Sequence, residues 1–220
     1  MKFIGWTPKG HLIYGIGFFN GKYPITIAPG KRSKENETWR GMLKRCYEPA
    51  YQNREPTYVG CSVCEEWYCY DAFYEWITTQ ENYEKWKEGG RGWCLDKDIS
   101  IKGNKIYSPD TCFLVPRNVN NLFTNRRLYR GEFPIGVSYS DKLNKFLVYC
   151  MNPFQEKSKK ALKKHASYVW TYNTKEEAFH AYKTYKENII VRVAKEEFEK
   201  ENITKECYLA MLEYKIDISD

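Results

Sequence analysis

The segment from Trp93 to Phe123 places the strongest limit on how this chain of 220 residues can fold. Its pattern predicts two short strands joined by a turn, followed at once by a helix rich in asparagine. Asp96 lies on the first predicted strand and Asn120 on the predicted helix. Oxygen ligands placed in this way can converge on one hard divalent cation such as Mg²⁺. A metal held beside basic side chains is suited to cleaving a phosphodiester bond.

The composition favours a polyanionic partner. The formal net charge is +7, and aromatic residues make up 17% of the chain, which is enough for a packed core. We therefore expect the partner to be a nucleic acid. No run approaches the ~18 apolar residues that a membrane span needs, and the first residues lack the pattern of a signal peptide. We expect a cytoplasmic protein with no membrane partner, and the oligomeric state is unknown from the sequence.

A basic linker that contains Gly131 and Pro134 divides the chain into predicted domains 1–128 and 129–220. In the first domain we expect a strand or two before residue 38, and then a helix that begins near Thr38. A second helix, rich in aromatic residues, is expected to carry Val63 to Ile77.

The second predicted domain changes from helical to alternating periodicity. A hairpin and a third strand, ASYVWTY, are expected before a long helix. Thr174 and Glu177 have the spacing of a capping box at the start of that helix. The predicted fold class is α+β, in which a strand-strand-helix unit with flanking helices precedes a three-stranded antiparallel sheet packed on a helix.

Asp96, the Gly103-Asn104 turn, the YSPDTC sequence that ends at Cys112, and Asn120 together form a recognisable motif. The motif resembles that of the HNH, or ββα-metal, nucleases, and especially the phage and intron-homing branch of that family. The resemblance implies that Asp96 and Asn120 bind Mg²⁺ or another divalent cation. It further implies a phage DNA endonuclease, which nicks double-stranded DNA or cuts both of its strands in the cytoplasm of a phage-infected bacterial host.

Lys97 and Thr111 depart from the family motif. Lys97 stands where the family has its histidine general base, and Thr111 where it has the asparagine that positions this base. A lysine with a pKa of about 10.4 is a poor base near neutral pH, so Lys97 could instead bind the scissile phosphate. The expected catalytic residues are Asp96, Lys97, Thr111 and Asn120.

Two alternatives stay open. The chain could be a catalytically inactive HNH-like protein with a DNA-binding or regulatory role, because Lys97 replaces the usual histidine. It could also be an interaction protein that blocks a host nuclease complex, although the basic charge opposes DNA mimicry.

Gly136-Val137, Lys145-Phe146 and Glu177-Ala178 resemble signatures of the Apetala/ethylene-response-factor DNA-binding domain. The resemblance implies a sheet that lies in the major groove and a helix that braces its back. Arginines are missing from the matching base-reading positions, so we expect contacts with the DNA backbone and modest sequence preference. The expected DNA-binding residues are Arg117, Arg126, Arg127, Arg130, Lys142, Lys145, Tyr149, Lys163, Lys164 and Tyr168.

The eight cysteines raise the question of a structural zinc ion. Cys61 and Cys64 have the spacing of a zinc knuckle, and Cys94 and Cys112 follow on the predicted strands. A second CxxC pair is missing, so we interpret these cysteines as small, reduced, buried residues and do not expect zinc.

Overall fold

The computed structural model describes residues 11–124, 132–154 and 167–220, with residues 167–169 described by their backbone only. The described chain is mixed α+β. In chain order its elements are β1 (Thr26–Ala28), β2 (Lys31–Arg32), α1 (Lys34–Tyr47), α2 (Pro49–Arg54), β3 (Ser62–Val63), α3 (Tyr70–Thr78), α4 (Tyr83–Glu88), β4 (Trp93–Asp96), β5 (Ile106–Tyr107), β6 (Phe113–Pro116), α5 (Arg117–Asn120), β7 (Val137–Ser140), β8 (Lys145–Met151), β9 (Ser167–Tyr172), α6 (Lys175–Glu199) and α7 (Lys205–Glu213).

Helix α1 begins about one turn earlier than Thr38, so the predicted start was wrong. The signal for the earlier start is Ser33, whose Oγ accepts a hydrogen bond of 3.1 Å from the backbone N–H of Asn36. This N-cap satisfies one of the donors that a helix start leaves unpaired. The apolar side of α1, which includes Trp39 and Leu43, is fully buried in the N-terminal core.

The second predicted helix was also wrong in its extent. The stretch is divided into β3, a one-turn 3₁₀ helix at Glu65–Tyr68 and the helix α3. Extended backbone at Cys64 and Cys69 interrupts the helical path on each side of the 3₁₀ turn. Strand β3 pairs in parallel with β5, so the helical region is tied to the loop that follows β4.

The segment predicted as strand-strand-helix contains a third short strand, β5, which lies between β4 and β6 and pairs with β3 instead. Strands β4 and β6 pair antiparallel from Trp93 opposite Pro116 to Asp96 opposite Phe113. Helix α5 begins at Arg117, directly after β6, and is only four residues long. Asparagines are weak helix formers, which accounts for an early end at Asn120. The more specific assignment as a ββα-metal unit stays a prediction.

The C-terminal part has the predicted architecture, since a three-stranded antiparallel sheet of order β7-β8-β9 packs on α6. The capping box at Thr174 and Glu177 is confirmed at the start of α6. Gly136 precedes β7 with φ +76°, and a Cβ there would lie 2.1 Å from the ring of Tyr182 on α6. Glycine is therefore required where the chain enters the sheet.

Residues on both sides of the expected domain boundary share one core. Val115, Val119 and Leu122 pack in the same buried cluster as residues of the sheet, α6 and α7. Asn82 reinforces this contact, because its Nδ2 donates to the carbonyls of Leu114 (2.6 Å) and Asn202 (3.1 Å). The strand-strand-helix segment therefore rests directly on the C-terminal helices. Within the described ranges, no helix combines the length and apolarity needed to cross a membrane.

Candidate functional site

A polar cleft of about 330 Å³ lies between α1, β4 and α5. It brings together Asp96, Lys97, Arg117 and Asn120, which the sequence singled out, whereas Thr111 is not among the residues that line it. The lining residues are Lys34, Glu37, Thr38, Gly41, Arg45, Tyr58, Trp86, Trp93, Cys94, Leu95, Asp96, Lys97, Asp98, Tyr107, Arg117 and Asn120.

Asp96 ends strand β4 and is 6% exposed. Its Oδ1 accepts hydrogen bonds from the backbone N–H groups of Asp98 (2.8 Å) and Ile99 (2.9 Å). Burial, with a contribution from the neighbouring Asp98 carboxylate, raises the pKa of Asp96 to about 6. Oδ2 makes no hydrogen bond within the described part of the chain, so one oxygen holds the turn and the other is uncommitted.

Lys97 is buried directly beside this carboxylate. Its Nζ donates to Asp98 Oδ1 (2.5 Å) and to the carbonyl of Asn104 (2.8 Å), and it lies 5.6 Å from the ring centroid of Tyr107. Asn104 returns a hydrogen bond of 2.8 Å from Nδ2 to the carbonyl of Lys97. A protonated lysine donates and cannot accept, so Lys97 supplies positive charge and holds the loop closed.

Asn120 is the last residue of α5 and is half-buried at the edge of the cleft. Its side-chain amide makes no hydrogen bond to any residue in the described ranges, whereas Asn118 donates from Nδ2 to Glu197 Oε1 (3.0 Å). Asp96 and Asn120 together offer a carboxylate and an amide oxygen, the hard donors that Mg²⁺ prefers.

A cation at this site would need more ligands than the protein offers. Across residues 11–124, 132–154 and 167–220, no group of at least three histidine, cysteine, aspartate or glutamate side chains could hold a metal ion. Mg²⁺ commonly keeps several waters and takes only one or two carboxylates together with substrate phosphate. A cation held by Asp96 and Asn120 would therefore need oxygens of water or of a ligand to complete its coordination.

One face of α1 forms the opposite wall of the cleft. Lys34, Glu37, Thr38, Gly41 and Arg45 line it and recur every three or four residues, so they share a single helix face. The sequence prediction did not include this wall, because it identified only the apolar face of α1. The recurrence of polar residues every three or four positions could have indicated this second face of α1.

Arg45 is held in place by two tyrosines. Its Nε donates to Tyr107 Oη (3.1 Å), and its guanidinium carbon lies 5.7 Å from the ring centroid of Tyr58 and 5.5 Å from that of Tyr107. Contacts of this kind fix the guanidinium without neutralising its charge. The terminal Nη groups have no hydrogen-bond partner among the described residues, so Arg45 is preorganised to bind an anion.

Most of the positively charged side chains in the cleft form no ion pair with its carboxylates. Arg117 donates from Nε to the carbonyl of Arg91 (2.7 Å), and Lys34 donates from Nζ to the carbonyl of Trp86 while burial lowers its pKa. Of Lys34, Arg45, Lys97 and Arg117, only Lys97 forms an ion pair within the described ranges, with Asp98. The arrangement favours an anionic ligand.

Thr111 supports the loop rather than the cleft. Its Oγ1 donates to the carbonyl of Ile106 (2.9 Å) and lies 3.0 Å from Ser108 Oγ. These contacts close the turn that leads into β6. The catalytic role expected of Thr111 stays a prediction.

All eight cysteines are free thiols. Cys61 and Cys112 are buried, whereas Cys64 and Cys94 are half-buried. Burial raises the pKa of Cys112 to about 12 and also raises the pKa of Cys64 and Cys94.

The DNA contacts expected of the C-terminal part are distributed over the sheet. Lys142 is exposed in the β7–β8 turn, Lys145 donates from Nζ to Asn173 Oδ1, and Tyr149 is 46% exposed on β8. In the pairing of β8 with β9, Tyr149 lies opposite Val169. The next pair places Tyr168 opposite the buried Cys150. The remaining expected contacts lie outside the described residues, namely Arg126, Arg127, Arg130, Lys163 and Lys164.

Comparisons of the chain with protein-family models, with curated proteins and with solved structures give no match. The functional argument therefore rests on the geometry and charge of the cleft.

Proposed function

We propose that the protein is a phage DNA endonuclease that cleaves with one divalent cation in the cleft between α1, β4 and α5. The observation that carries this proposal is the convergence of Asp96, Lys97, Arg117 and Asn120 on one polar cleft. These residues come from β4, from the loop after it and from α5. The unpaired cations opposite them match a phosphodiester substrate.

Asp96 and Asn120 are the proposed ligands of Mg²⁺ or a similar ion. The Asp96 oxygen that does not hold the turn and the uncommitted amide of Asn120 supply the donors. A bound cation would stabilise charge on the leaving oxygen and lower the pKa of a coordinated water. Because the pKa of Asp96 is raised to about 6, its carboxylate is the dominant form at neutral and basic pH, which cation binding requires.

Arg45, Arg117 and Lys97 are the proposed phosphate-binding groups. Arg45 is fixed by its two tyrosines, and a fixed guanidinium presents paired donors that match the geometry of a phosphate. Lys97 has no acceptor capacity in its protonated state and donates to Asp98 and Asn104. In this proposal Lys97 orients the loop and adds positive charge. The proton of the attacking water is accepted by another water molecule and not by Lys97.

The C-terminal sheet and α6 are proposed to hold the nuclease on duplex DNA. Lys142, Lys145 and Tyr149 lie on the β7–β8 hairpin, where a lysine can contact phosphates and an exposed tyrosine can contact sugar or base. Without arginine forks on this sheet, sequence preference would be modest. The shared core described above would keep the cleft and the sheet in a fixed relation.

The test is cleavage of supercoiled plasmid by the full chain in Mg²⁺, in Mn²⁺ and in EDTA. The proposal predicts metal-dependent nicking by the wild type, and loss of nicking in Asp96→Ala and Asn120→Ala. Glu213→Gln removes an exposed carboxylate at the end of α7 and is the control, which should cut at the wild-type rate. Wild-type rates in Asp96→Ala would contradict the metal assignment.

A second candidate is a DNA-binding protein without catalysis on the same scaffold. It is favoured by the hydrogen bonds that engage Lys97 Nζ and Asp96 Oδ1 in holding the turn. A gel shift of DNA by a wild-type protein that cuts with neither metal would select this candidate. Lys97→Met then separates the roles, because loss of the shift assigns Lys97 to phosphate binding and loss of folding assigns it to the loop.

A further inference from the structure

A second pocket, of about 510 Å³, lies beside α1 and is separate from the cleft. Its polar part includes Arg32 of β2 and Asn36 and Arg40 of α1. Its apolar part is formed by side chains of the N-terminal segment, including Ile13 and Phe19, which are both buried. The pocket therefore has a cationic half and an apolar half.

The two sites use different faces of the same helix. Asn36 and Arg40 are one turn apart and project from the same side of α1, whereas Lys34 and Thr38 project into the cleft. At 100° per residue the mean directions of the two pairs are roughly 160° apart around the helix axis. A ligand in the second pocket would thus not touch the groups that line the cleft.

The arginines of the second pocket have no counter-charge in the protein. Neither the Arg32 nor the Arg40 side chain forms an ion pair or a hydrogen bond with a residue in the described ranges. Burial, together with repulsion from Arg32, lowers the pKa of Arg40. Two guanidinium groups close to each other are unfavourable unless an anion compensates them, and a bound anion would do so.

Asn36 adds a hydrogen-bond donor to the same pocket. It is 1% exposed, and within the described part of the chain its Nδ2 is buried without a hydrogen-bond partner. Buried donors without partners are rare and unfavourable in folded proteins. The backbone N–H of Asn36 is already bonded to Ser33, so the amide is the group left for a ligand oxygen.

We infer that this pocket binds a small phosphorylated ligand with an apolar or aromatic body, of the class of a nucleoside monophosphate. Arg32 and Arg40 bind the phosphate, Asn36 donates to one of its oxygens, and Ile13 and Phe19 contact the body. The volume lies within the range of about 300–1,000 Å³ that is usual for small-molecule sites. This inference does not depend on the proposed nuclease activity.

The test is isothermal titration calorimetry of the full chain with AMP, inorganic phosphate and adenosine as probes. We expect saturable binding of AMP, and weaker binding of phosphate and of adenosine, each of which fills only half of the pocket. Arg32→Gln and Arg40→Gln should each weaken AMP binding about tenfold or more, the usual effect of losing a hydrogen bond from a charged group. Arg54→Gln, an exposed arginine on α2, should leave the affinity unchanged.

Three results would overturn the inference. These are the absence of saturable AMP binding, equal affinities for AMP and inorganic phosphate, and loss of AMP binding in Arg117→Gln with no loss in Arg32→Gln. The last result would place the ligand in the cleft. The side chain of Arg32 is exposed and lacks partners in the described part of the protein, so Arg32→Gln decides the outcome even if circular dichroism shows that Arg40→Gln does not fold.

Discussion

Replacing Asp96 by asparagine is expected to stabilise the metal-free protein at basic pH. Burial raises the pKa of this carboxyl from an ordinary value of 3.8 to about 6. The folded state therefore binds the proton more tightly than the unfolded state does, and the ionised form is unfavourable in the fold. The difference corresponds to about 3 kcal/mol.

The sign follows from this raised pKa. The contribution of Asp96 to stability is fully present below pH 3.8 and is lost as the pH rises through about 6. The asparagine side chain of the variant would stay neutral at every pH, and its amide oxygen could still accept from the N–H groups of Asp98 and Ile99. At pH 8 we expect the free energy of unfolding of Asp96→Asn to exceed that of the wild type by about 1 to 3 kcal/mol. At pH 4 we expect the two proteins to have nearly equal free energies of unfolding.

The measurement is urea unfolding followed by tryptophan fluorescence at pH 4 and pH 8, in EDTA so that no cation binds. Asp141→Asn is the control, since its carboxyl is exposed and its removal should change neither value. A variant less stable than the wild type at pH 8, or a difference that does not change with pH, would refute the argument from burial.

Three further substitutions test the packing and capping of the fold, with urea unfolding as the measurement. Gly17→Ala should lower the free energy of unfolding by about 1 to 3 kcal/mol, because its Cβ would lie 2.4 Å from Leu43 Cδ1, whereas Gly92→Ala meets no atom within 4 Å and should change it little. Thr174→Ala should cost about 1 kcal/mol by removing the N-cap of α6, and an unchanged midpoint would contradict the capping role. Gly41→Ala should raise the free energy of unfolding by about 0.5 to 1 kcal/mol, since the position is helical and the added Cβ would make an ordinary van der Waals contact of 3.8 Å with Arg45 Nη1; a lower stability would contradict this fit.

The C-terminal architecture was accessible from the sequence because its signals are local. Alternation along Lys145–Met151 indicates a strand, and the Thr174 and Glu177 pair marks the start of a helix through contacts within four residues. The start of α1 carried an equally local signal in Ser33, which was not recognised. The division of residues 62–78 into strand, turn and helix depends on the pairing of β3 with β5, which is distant in sequence.

The cleft could be predicted only in part for the same reason. Asp96 and Asn120 could be associated in advance, because β4 and β6 pair, and because α5 follows β6 directly and packs on β4. Arg45 could not, because its position depends on α1 packing against the loop that carries Tyr107. A contact between an arginine and a tyrosine that are far apart in sequence produces no periodic pattern from which it could be predicted.

The most direct test of the central claim is the rate at which supercoiled plasmid is nicked in Mn²⁺ at pH 8 by the wild type and by Asp96→Asn. The account predicts nicking by the wild type and at least about a hundredfold loss in the variant, since a metal ligand supplies several kcal/mol of transition-state stabilisation. It predicts this loss in a variant that is at least as stable as the wild type. Equal rates for the two proteins, or a wild type that binds plasmid and never cuts it, would contradict the claim that this cleft is a nuclease site.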